Sequence, residues 1–401
     1  MNLFLSRKFI ITLTSLLLLS SSFLLTGCWD RKEVNDMAMV LGAAIDKSKG
    51  KNSIELTIQT LNPRNVSNGQ QGTGGRGSII SVRSAVGKNM ADAASKLQTK
   101  ISRQIFWGHC KIFILGKKLA KQGGLDPEID FLLRHPEPRE NAHLFVSDGK
   151  AADVMELMPP LDQYEGEALR RLAQMRTGAA VTVNEFEEML TGDAGGAILP
   201  LIKILPRLHG EEKKETSAYI AGTAIFKKDK MIGQINARVT RGLLWLRDEI
   251  KVLSITVYPK RRQTIALDPI RQKTRLVPKI KNGKWTITAK ITSENTIVEN
   301  GTHLDAMSLD VVKQIEDKAN KALNQRINES LSQVQKGMNV DVFGFAEAFH
   351  RKYPKEWEKV KDHWDKVLPK VVVNTDIRMR IRRPGLSTTP AGLKKEEIKE
   401  K

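Results

Sequence analysis

Cysteine is almost absent from this chain of 401 residues. The two cysteines, Cys28 and Cys110, allow at most one disulfide. This excludes the multiply crosslinked fold typical of small secreted domains, so the folded body depends on its own hydrophobic core. Hydrophobic residues make up 40% of the chain and charged residues 27%, a composition typical of a folded globular protein.

The sequence signatures of common enzymes and metal sites are also missing. The seven histidines form no HExxH motif or other close ligand cluster, and neither a GxSxG elbow nor a P-loop occurs. His135 and His143 flank a proline-rich segment that predicts a constrained turn more than an ion site. Glu137 and Glu140 offer a pair of carboxylates for acid-base chemistry, but no further pattern supports that role. We therefore predict no enzymatic activity, no metal and no cofactor.

One literal GxGxxG occurs at Gly72–Gly77, inside a polar, glycine-rich segment over 62–78. A loop that binds pyrophosphate follows a strand directly and opens a helix. Here a polar stretch separates the glycines from the preceding strand pattern, and Ile79-Ile80-Ser81-Val82 behind them is typical of a strand. The pattern therefore predicts a flexible loop.

The N-terminus has the layout of a secretory signal. Arg7 and Lys8 precede an apolar run from Phe9 to Leu25, which is shorter than the ~20 residues that a transmembrane helix needs. The run ends on LTGC, which resembles the lipobox of bacterial lipoproteins, in which diacylglycerol alkylates the cysteine and the chain is cut before it. We predict a signal peptide over 1–27 and lipidation at Cys28, with an ordinary signal sequence and a chance cysteine as the alternative.

Lipidation has consequences for both cysteines. A diacylglycerol thioether supplies two acyl chains, which hold a protein stably at a membrane, and it consumes the sulfur of Cys28. Cys110 lies in HCKIFIL, which we interpret as a strand with Cys110, Ile112 and Ile114 on one face. Because His109 would point to the other face of that strand, we predict a buried, inert thiol rather than a nucleophile.

The chain is strongly basic, with a formal net charge of +20. Such a charge raises the hypothesis of nucleic-acid binding, but the predicted position outside the cytoplasm argues for no nucleic acid. Basic residues near a membrane are attracted to anionic headgroups by roughly 1 kcal/mol each. Acidic partner loops, wall polymers or a merely solvated surface fit equally well, so the charge leaves open whether this surface faces lipid or protein.

Changes in composition divide the remaining chain. We predict an N-terminal α/β domain over 28–150, a helical middle region over 151–207 that is a candidate separate domain, a linker over 208–217 (LHGEEKKETS), a C-terminal α+β domain over 218–385 and a charged, disordered tail over 386–401. The fold class is α+β and multidomain, with mixed sheets and packed helices.

The C-terminal domain is predicted as an antiparallel sheet plus one long helix. Strand patterns occur over 219–226, 231–235, 254–258, 274–280 and 285–291, and a last strand is predicted over 371–381. Apolar residues recur at threes and fours along that helix, at Leu309, Val312, Ala319, Leu323, Ile327, Leu331 and Val334. Trp357 and Trp364, seven apart, share a helical face. We interpret this pair as core rather than as a grip on a sugar or a membrane.

Five stretches taken together resemble a known family. They are Cys28-Trp29-Asp30, FWGHCKIFILGKKLAKQG over 106–123, FLLRHPEPREN over 131–141, GTAIFKKDKMIGQ over 222–234 and DVFGFAEAFHRKYPKEW over 341–357. In this order and spacing they resemble the Ger(x)C lipoproteins, the C subunits of nutrient germinant receptors in endospore-forming bacteria.

The resemblance implies a lipoprotein on the outer face of the inner spore membrane, assembled with the integral-membrane A and B receptor subunits. It implies an α+β fold of three small domains and no known enzymatic activity. Cys28, as the lipidation site, is the one functional residue that carries over. The alternative function is an extracytoplasmic solute-binding lipoprotein, a class that usually shows two α/β lobes around a cleft.

Overall fold

The structure is a computed structural model that describes residues 36–50, 53–61, 80–206, 214–251, 254–259 and 263–385, with residues 9, 11–15, 390, 392–394 and 397. The predicted lipidation site Cys28 and the glycine-rich GxGxxG segment lie outside the described residues. Most of the predicted linker over 208–217 and of the tail over 386–401 also lies outside them.

A nine-stranded mixed sheet occupies the first half of the chain. Its strands are β1 (Met37–Lys47), β2 (Ile54–Leu61), β3 (Ile80–Gly87), β4 (Gln104–Phe106), β5 (Ile112–Gly116), β6 (His143–Ser147), β7 (Gly196–Ile204), β8 (Ala218–Lys227) and β9 (Lys230–Asn236). Their order is β3-β2-β1-β5-β6-β7-β8-β9, and β4 pairs with β1. The central strands β1, β5, β6 and β7 run parallel, whereas the pairs at both ends of the sheet are antiparallel.

Helices cover both faces of this sheet, so the central strand β5 is buried at every position, as parallel strands usually are. The helices are α1 (Met90–Gln98), α2 (Lys117–Gln122), α3 (Asp126–Arg134), α4 (Ala151–Met155), α5 (Glu165–Met175) and α6 (Val183–Thr191). Thr182 and Glu185 form a capping box at the start of α6: the Thr182 side chain accepts from the Glu185 amide, and the Glu185 carboxylate accepts from the Thr182 amide.

A second, four-stranded sheet follows, in the order β10-β11-β12-β13. Its strands are β10 (Ile255–Val257), β11 (Ile265–Lys281), β12 (Lys284–Asn300) and β13 (Val372–Arg383). The first three are antiparallel neighbours, and β13 lies parallel to β12. Asn282 and Gly283 join β11 to β12 with φ of 48° and 73°. These positive angles are those of a two-residue type I′ turn, which Asn-Gly favours.

The second sheet packs against helices α7 (Ala237–Leu246), α8 (Leu309–Ser330), α9 (Phe345–Lys352), α10 (Pro354–Glu358) and α11 (Trp364–Val367). The long predicted helix is α8, which continues as a π-helical segment over Leu331–Met338. Its buried stripe starts at Val311 and Ile315, so the prediction that Leu309 belongs to the stripe is wrong. Leu309 is the first residue of the helix and is 84% exposed. The buried residues recur every four positions at Val311, Ile315 and Ala319, and Leu309 does not belong to that series.

The two sheets share one hydrophobic core. Helix α7, which follows β9 directly, crosses α8 so closely that a Cβ on Gly242 would lie 2.3 Å from the carbonyl oxygen of Arg326. An ion pair between Arg238 and Glu329, 2.8 Å long, spans the same crossing. The α+β fold with mixed sheets and one long helix is therefore confirmed.

The predicted linker over 208–217 does not separate the two sheets. Strand β8, which follows it, pairs along its length with β7, which precedes it, and β9 extends the same sheet. The strand patterns over 219–226 and 231–235 therefore belong to the first sheet and not to the C-terminal one. The domain limits themselves stay predictions.

Candidate functional site

The second cysteine is buried, but not as the strand pattern predicts. Cys110 lies in a turn before β5, where its amide donates to the carbonyl oxygen of Trp107 at 2.8 Å. Its side chain belongs to the same hydrophobic cluster as Phe113 and Leu115, whereas Ile112 and Ile114 belong to a second cluster. The predicted common face of Cys110, Ile112 and Ile114 is therefore wrong, because the strand begins only at Ile112. Burial strongly raises the pKa of the thiol, so no reactive thiolate forms there.

Of the histidines and glutamates singled out from the sequence, His135 and Glu137 are neighbours, because the Glu137 amide donates a hydrogen bond to Nδ1 of His135 at 3.4 Å. The Glu137 carboxylate accepts a hydrogen bond from the backbone amide of Trp107 at 3.0 Å, and Glu140 is exposed. His143 lies in β6, where burial lowers its pKa. Within the part of the chain that the structure describes, no three His, Cys, Asp or Glu side chains come together as metal ligands. The segment around His135 is a turn, and the hydrogen bond between Glu137 and Trp107 connects the stretch over 131–141 to the stretch over 106–123.

Trp357 and Trp364 are core residues, as predicted. Their rings lie 5.1 Å apart edge to face, and Phe349 and Trp285 complete the cluster. Aromatic pairs of this geometry contribute about 0.5–1.5 kcal/mol beyond the area they bury.

The stretch DVFGFAEAFHRKYPKEW is held together by the buried carboxylate of Asp341. Its oxygens accept hydrogen bonds from the backbone amides of Phe343, Phe345 and Ala346 and from the indole nitrogen of Trp364. The residue thereby caps α9 and fixes the aromatic cluster over the second sheet. Burial raises the pKa of Asp341, while these four donors act in the opposite direction. Asp341 therefore has a structural role in this stretch.

One candidate site among the described residues is an apolar groove beside α5, which we call the α5 groove and define by Pro159, Leu161, Met175, Leu205 and Tyr219. Its volume is about 910 Å³. Leu161 is 92% exposed and Met175 53% exposed, so the groove presents large apolar side chains to solvent. Exposed apolar surface of this kind marks binding surfaces more often than isolated hydrophobic residues do.

Polar residues also line the α5 groove, among them Asp162, Arg171, Gln174, Thr216 and Ser217. At the rim, Arg171 forms an ion pair with Asp162 at 3.2 Å. Ala218, the first residue of β8, and Ser217 before it donate hydrogen bonds to the carboxylate of Glu165, at 2.8 and 3.3 Å. The groove offers an apolar ligand or an apolar peptide segment a surface with few hydrogen-bonding positions.

Glu165 is a buried, titratable residue that the sequence did not single out. Its side chain is fully buried, and its Oε2 atom has no hydrogen-bond partner among the described residues. Burial raises its pKa to about 8, against the hydrogen bonds from Ala218 and Ser217, which favour the ionised form. No local pattern at Glu165 signals this environment, because β8 creates it from more than 50 residues further along the chain. The α5 groove does have a signal in the sequence: the apolar loop MPPL over 158–161 contributes Pro159, Pro160 and Leu161 to its lining.

Of the helices among the described residues, none has both the length and the apolar character that a bilayer crossing requires.

Comparison with known proteins assigns both halves of the chain to one family. A family model described as spore germination protein N-terminal domain matches residues 30–204. A second, described as spore germination B3/GerAC like, C-terminal, matches residues 221–385.

Individual relatives cover nearly the whole chain. Spore germination protein KC of Bacillus subtilis (strain 168) is 30% identical over 398 residues, covering 94% of this chain and 97% of that protein. Spore germination protein B3 of the same organism is 24% identical, covering 89% of this chain and 94% of that protein. The crystal structure of the GerBC protein has the same fold, with a TM-score of 0.54 at 21% identity over 85% of this chain and 97% of that one. The resemblance inferred from the sequence is therefore confirmed, and the chain belongs to the GerAC-like family of spore germination proteins.

Proposed function

We propose that the chain is a non-enzymatic, lipid-anchored C subunit of a nutrient germinant receptor. It contributes to the germination response through assembly with integral-membrane A and B subunits at the outer face of the inner spore membrane. The observation that carries this proposal is the ordered match of both family models, over 30–204 and 221–385, directly behind the predicted lipidation site Cys28.

The position of the anchor relative to the folded body supports the proposal. Strand β1 begins at Met37, so nine residues lead from Cys28 to the first sheet. Even fully extended, nine residues span only about 30 Å. A diacylglycerol on Cys28 would therefore hold the folded body close to the membrane, where its effective concentration toward membrane-embedded partners is high.

Replacing the lipidated cysteine tests the proposal. Cys28→Ala in the native host is expected to release the protein from the spore membrane fraction and to weaken the nutrient response of the spores. The matched control is Cys110→Ala, which removes the other, buried cysteine and is expected to leave the protein in the membrane. If the Cys28→Ala protein stays membrane-bound with a normal response, the lipid anchor is not part of the mechanism.

A solute-binding lipoprotein is the second candidate, because the volume of the α5 groove lies within the roughly 300–1,000 Å³ of ligand pockets. The exposed Leu161 in that groove offers a test. Tight binding of a nutrient amino acid or sugar in calorimetry, weakened by Leu161→Asp, would assign sensing to this chain. Absence of such binding favours the non-enzymatic subunit.

A further inference from the structure

The outer face of the second sheet carries a concentrated positive charge. Strand β11 alternates between the core and solvent, and its solvent side bears Arg271, Lys273, Arg275, Lys279 and Lys281. All five side chains are exposed, and each stands beside a residue of β12 that shares the same face. We call this surface the outer face of the β11–β12–β13 sheet.

The two neighbouring strands extend this charge across the sheet. Strand β12 adds Lys284 and Lys290, and strand β13 adds Arg378, Arg380 and Arg382. Pairing in register places Arg378 beside Thr292, and Thr292 beside Lys273 of β11, so the cations of three strands form one surface. Two carboxylates, Glu294 and Asp376, lie among them.

Most of this positive charge is not neutralised within the protein. Ion pairs bind Lys273 to Asp248, Arg378 to Asp376, Arg380 to Glu316 and Arg382 to Glu294. For the remaining six cations, the side-chain nitrogens contact no carboxylate of the described residues. These six are Arg271, Arg275, Lys279, Lys281, Lys284 and Lys290.

The residues between the cations are small or polar. Val277 and Val372 are the apolar side chains that lie among the cations, with Thr286, Thr288 and Asn374 between them. The other exposed apolar residues of the hairpin, Ile270 and Val298, lie toward its end far from the Asn282-Gly283 turn. A protein interface normally has an apolar or aromatic centre and is depleted in lysine. A lysine-rich face without such a centre matches instead an array of separate phosphate groups, each of which meets a long, flexible side chain.

The face is long enough to contact several anionic headgroups at once. Strands β11 and β12 have 17 residues each, and at ~3.3 Å per residue such a hairpin is roughly 55 Å long. Arg351 and Lys352 of α9 flank the edge of β11, where the Lys352 ammonium donates to the carbonyl oxygen of Pro278 at 2.9 Å. The positive surface therefore continues past the sheet.

We propose that the outer face of the β11–β12–β13 sheet lies against anionic phospholipid headgroups, whose phosphates are its ligands. The inference builds on the proposed function, because the anchor on Cys28 brings the chain to a membrane surface. The anchor keeps the protein on the membrane, and the basic face sets which side of it turns toward the lipid. Attraction of this kind acts within a Debye length of about 8 Å at physiological salt.

The orientation can be measured with a label on the full, lipidated chain in vesicles. One probe is attached at Thr288→Cys, in the middle of the face, and a control probe at Lys321→Cys. Lys321 is exposed on α8, on the side of that helix opposite its buried stripe. Because lipid occupies the sulfur of Cys28 and the Cys110 thiol is buried, the label reacts only with the introduced cysteine.

In vesicles that contain phosphatidylglycerol, a quencher on the lipid headgroups is expected to quench the Thr288 probe several-fold more than the Lys321 probe. High salt, or vesicles of phosphatidylcholine alone, should remove the difference. The combined change of Lys279, Lys281, Lys284 and Lys290 to Glu should also remove it. The same change at four exposed lysines elsewhere, Lys118, Lys121, Lys313 and Lys318, should preserve it.

Vesicle flotation separates failure of this inference from failure of the anchor. A chain that floats with the vesicles but quenches equally at both probes refutes the basic face and leaves the anchor intact. A Cys28→Ala chain has neither the lipid nor a second reactive thiol. If it floats and quenches at Thr288 as the unsubstituted chain does, the face is supported and the anchor is refuted, whereas a chain with Cys28 intact that neither floats nor quenches overturns both. Quenching at Thr288 that requires added A or B subunits assigns the face to a protein partner and overturns the inference.

Discussion

Replacing Glu165 by Gln is expected to stabilise the protein at neutral pH. The carboxylate is fully buried under the α5 groove, and burial raises its pKa to about 8 from the ordinary 4.5. At pH 7 the side chain is thus protonated in the folded protein but ionised in the unfolded chain. Taking up that proton costs about 3 kcal/mol of folding free energy at pH 7 and about 1 kcal/mol at pH 5.

Glutamine reproduces the protonated form of this side chain. Its amide oxygen can keep the hydrogen bond from the amide of Ala218, 2.8 Å long, and its NH₂ group takes the place of the unpartnered Oε2. The wild-type protein loses stability as the pH rises from about 4.5 to 8, because the unfolded chain releases the proton that the folded protein keeps. Glutamine does not titrate, so Glu165→Gln should abolish this loss. The gain over wild type should therefore grow from pH 5 to pH 7.

Urea unfolding at pH 5, 6, 7 and 8, followed by tryptophan fluorescence, measures this difference. Glu140→Gln, at an exposed glutamate, is the matched control and should leave both the stability and its pH profile close to wild type. A Glu165→Gln protein that is less stable than wild type, or whose difference from wild type does not change with pH, would show that the buried carboxyl is ionised in the folded state.

Two further substitutions test how the layers are held together. Asp341→Ala leaves four buried donors without their acceptor, at roughly 1–3 kcal/mol each, so it should lower the free energy of unfolding by about 4 kcal/mol or more. Asp341→Asn keeps one acceptor oxygen and should lower it by less. Equal losses in the two variants would contradict this account. Gly242→Ala should cost about 1–3 kcal/mol in the same urea assay, because the added methyl meets the helix backbone at Arg326, whereas Gly149→Ala, with open space around it, is the control that should stay near wild type.

Features encoded by neighbouring residues were predictable from the sequence. The capping box of Thr182 and Glu185 starts a helix at that position. The final strand, predicted over 371–381, is β13 over Val372–Arg383. The predicted long helix begins at Leu309. These signals work because caps and periodic burial depend on residues only a few positions apart.

Features that depend on distant partners were not predictable in the same way. The pattern over 219–226 is that of a strand, but only its pairing with β7 places it in the first sheet. The face of Cys110 was assigned wrongly because the strand begins two residues later than its apolar pattern. Glu165 is indistinguishable in sequence from an exposed glutamate at the start of a helix, and its burial arises from β8.

The pairing of β7 with β8 has a consequence for dividing the chain. The two family models stop at residue 204 and resume at residue 221, which suggests two exchangeable modules. Yet nine residue pairs, from Gly196 with Lys227 to Ile204 with Ala218, join β7, which ends at the start of that gap, to β8, which begins within the gap and continues beyond it. A protease cut in the intervening segment would leave the fragments associated through this ladder. Either fragment produced alone would expose an unpaired strand edge, which is a site for aggregation.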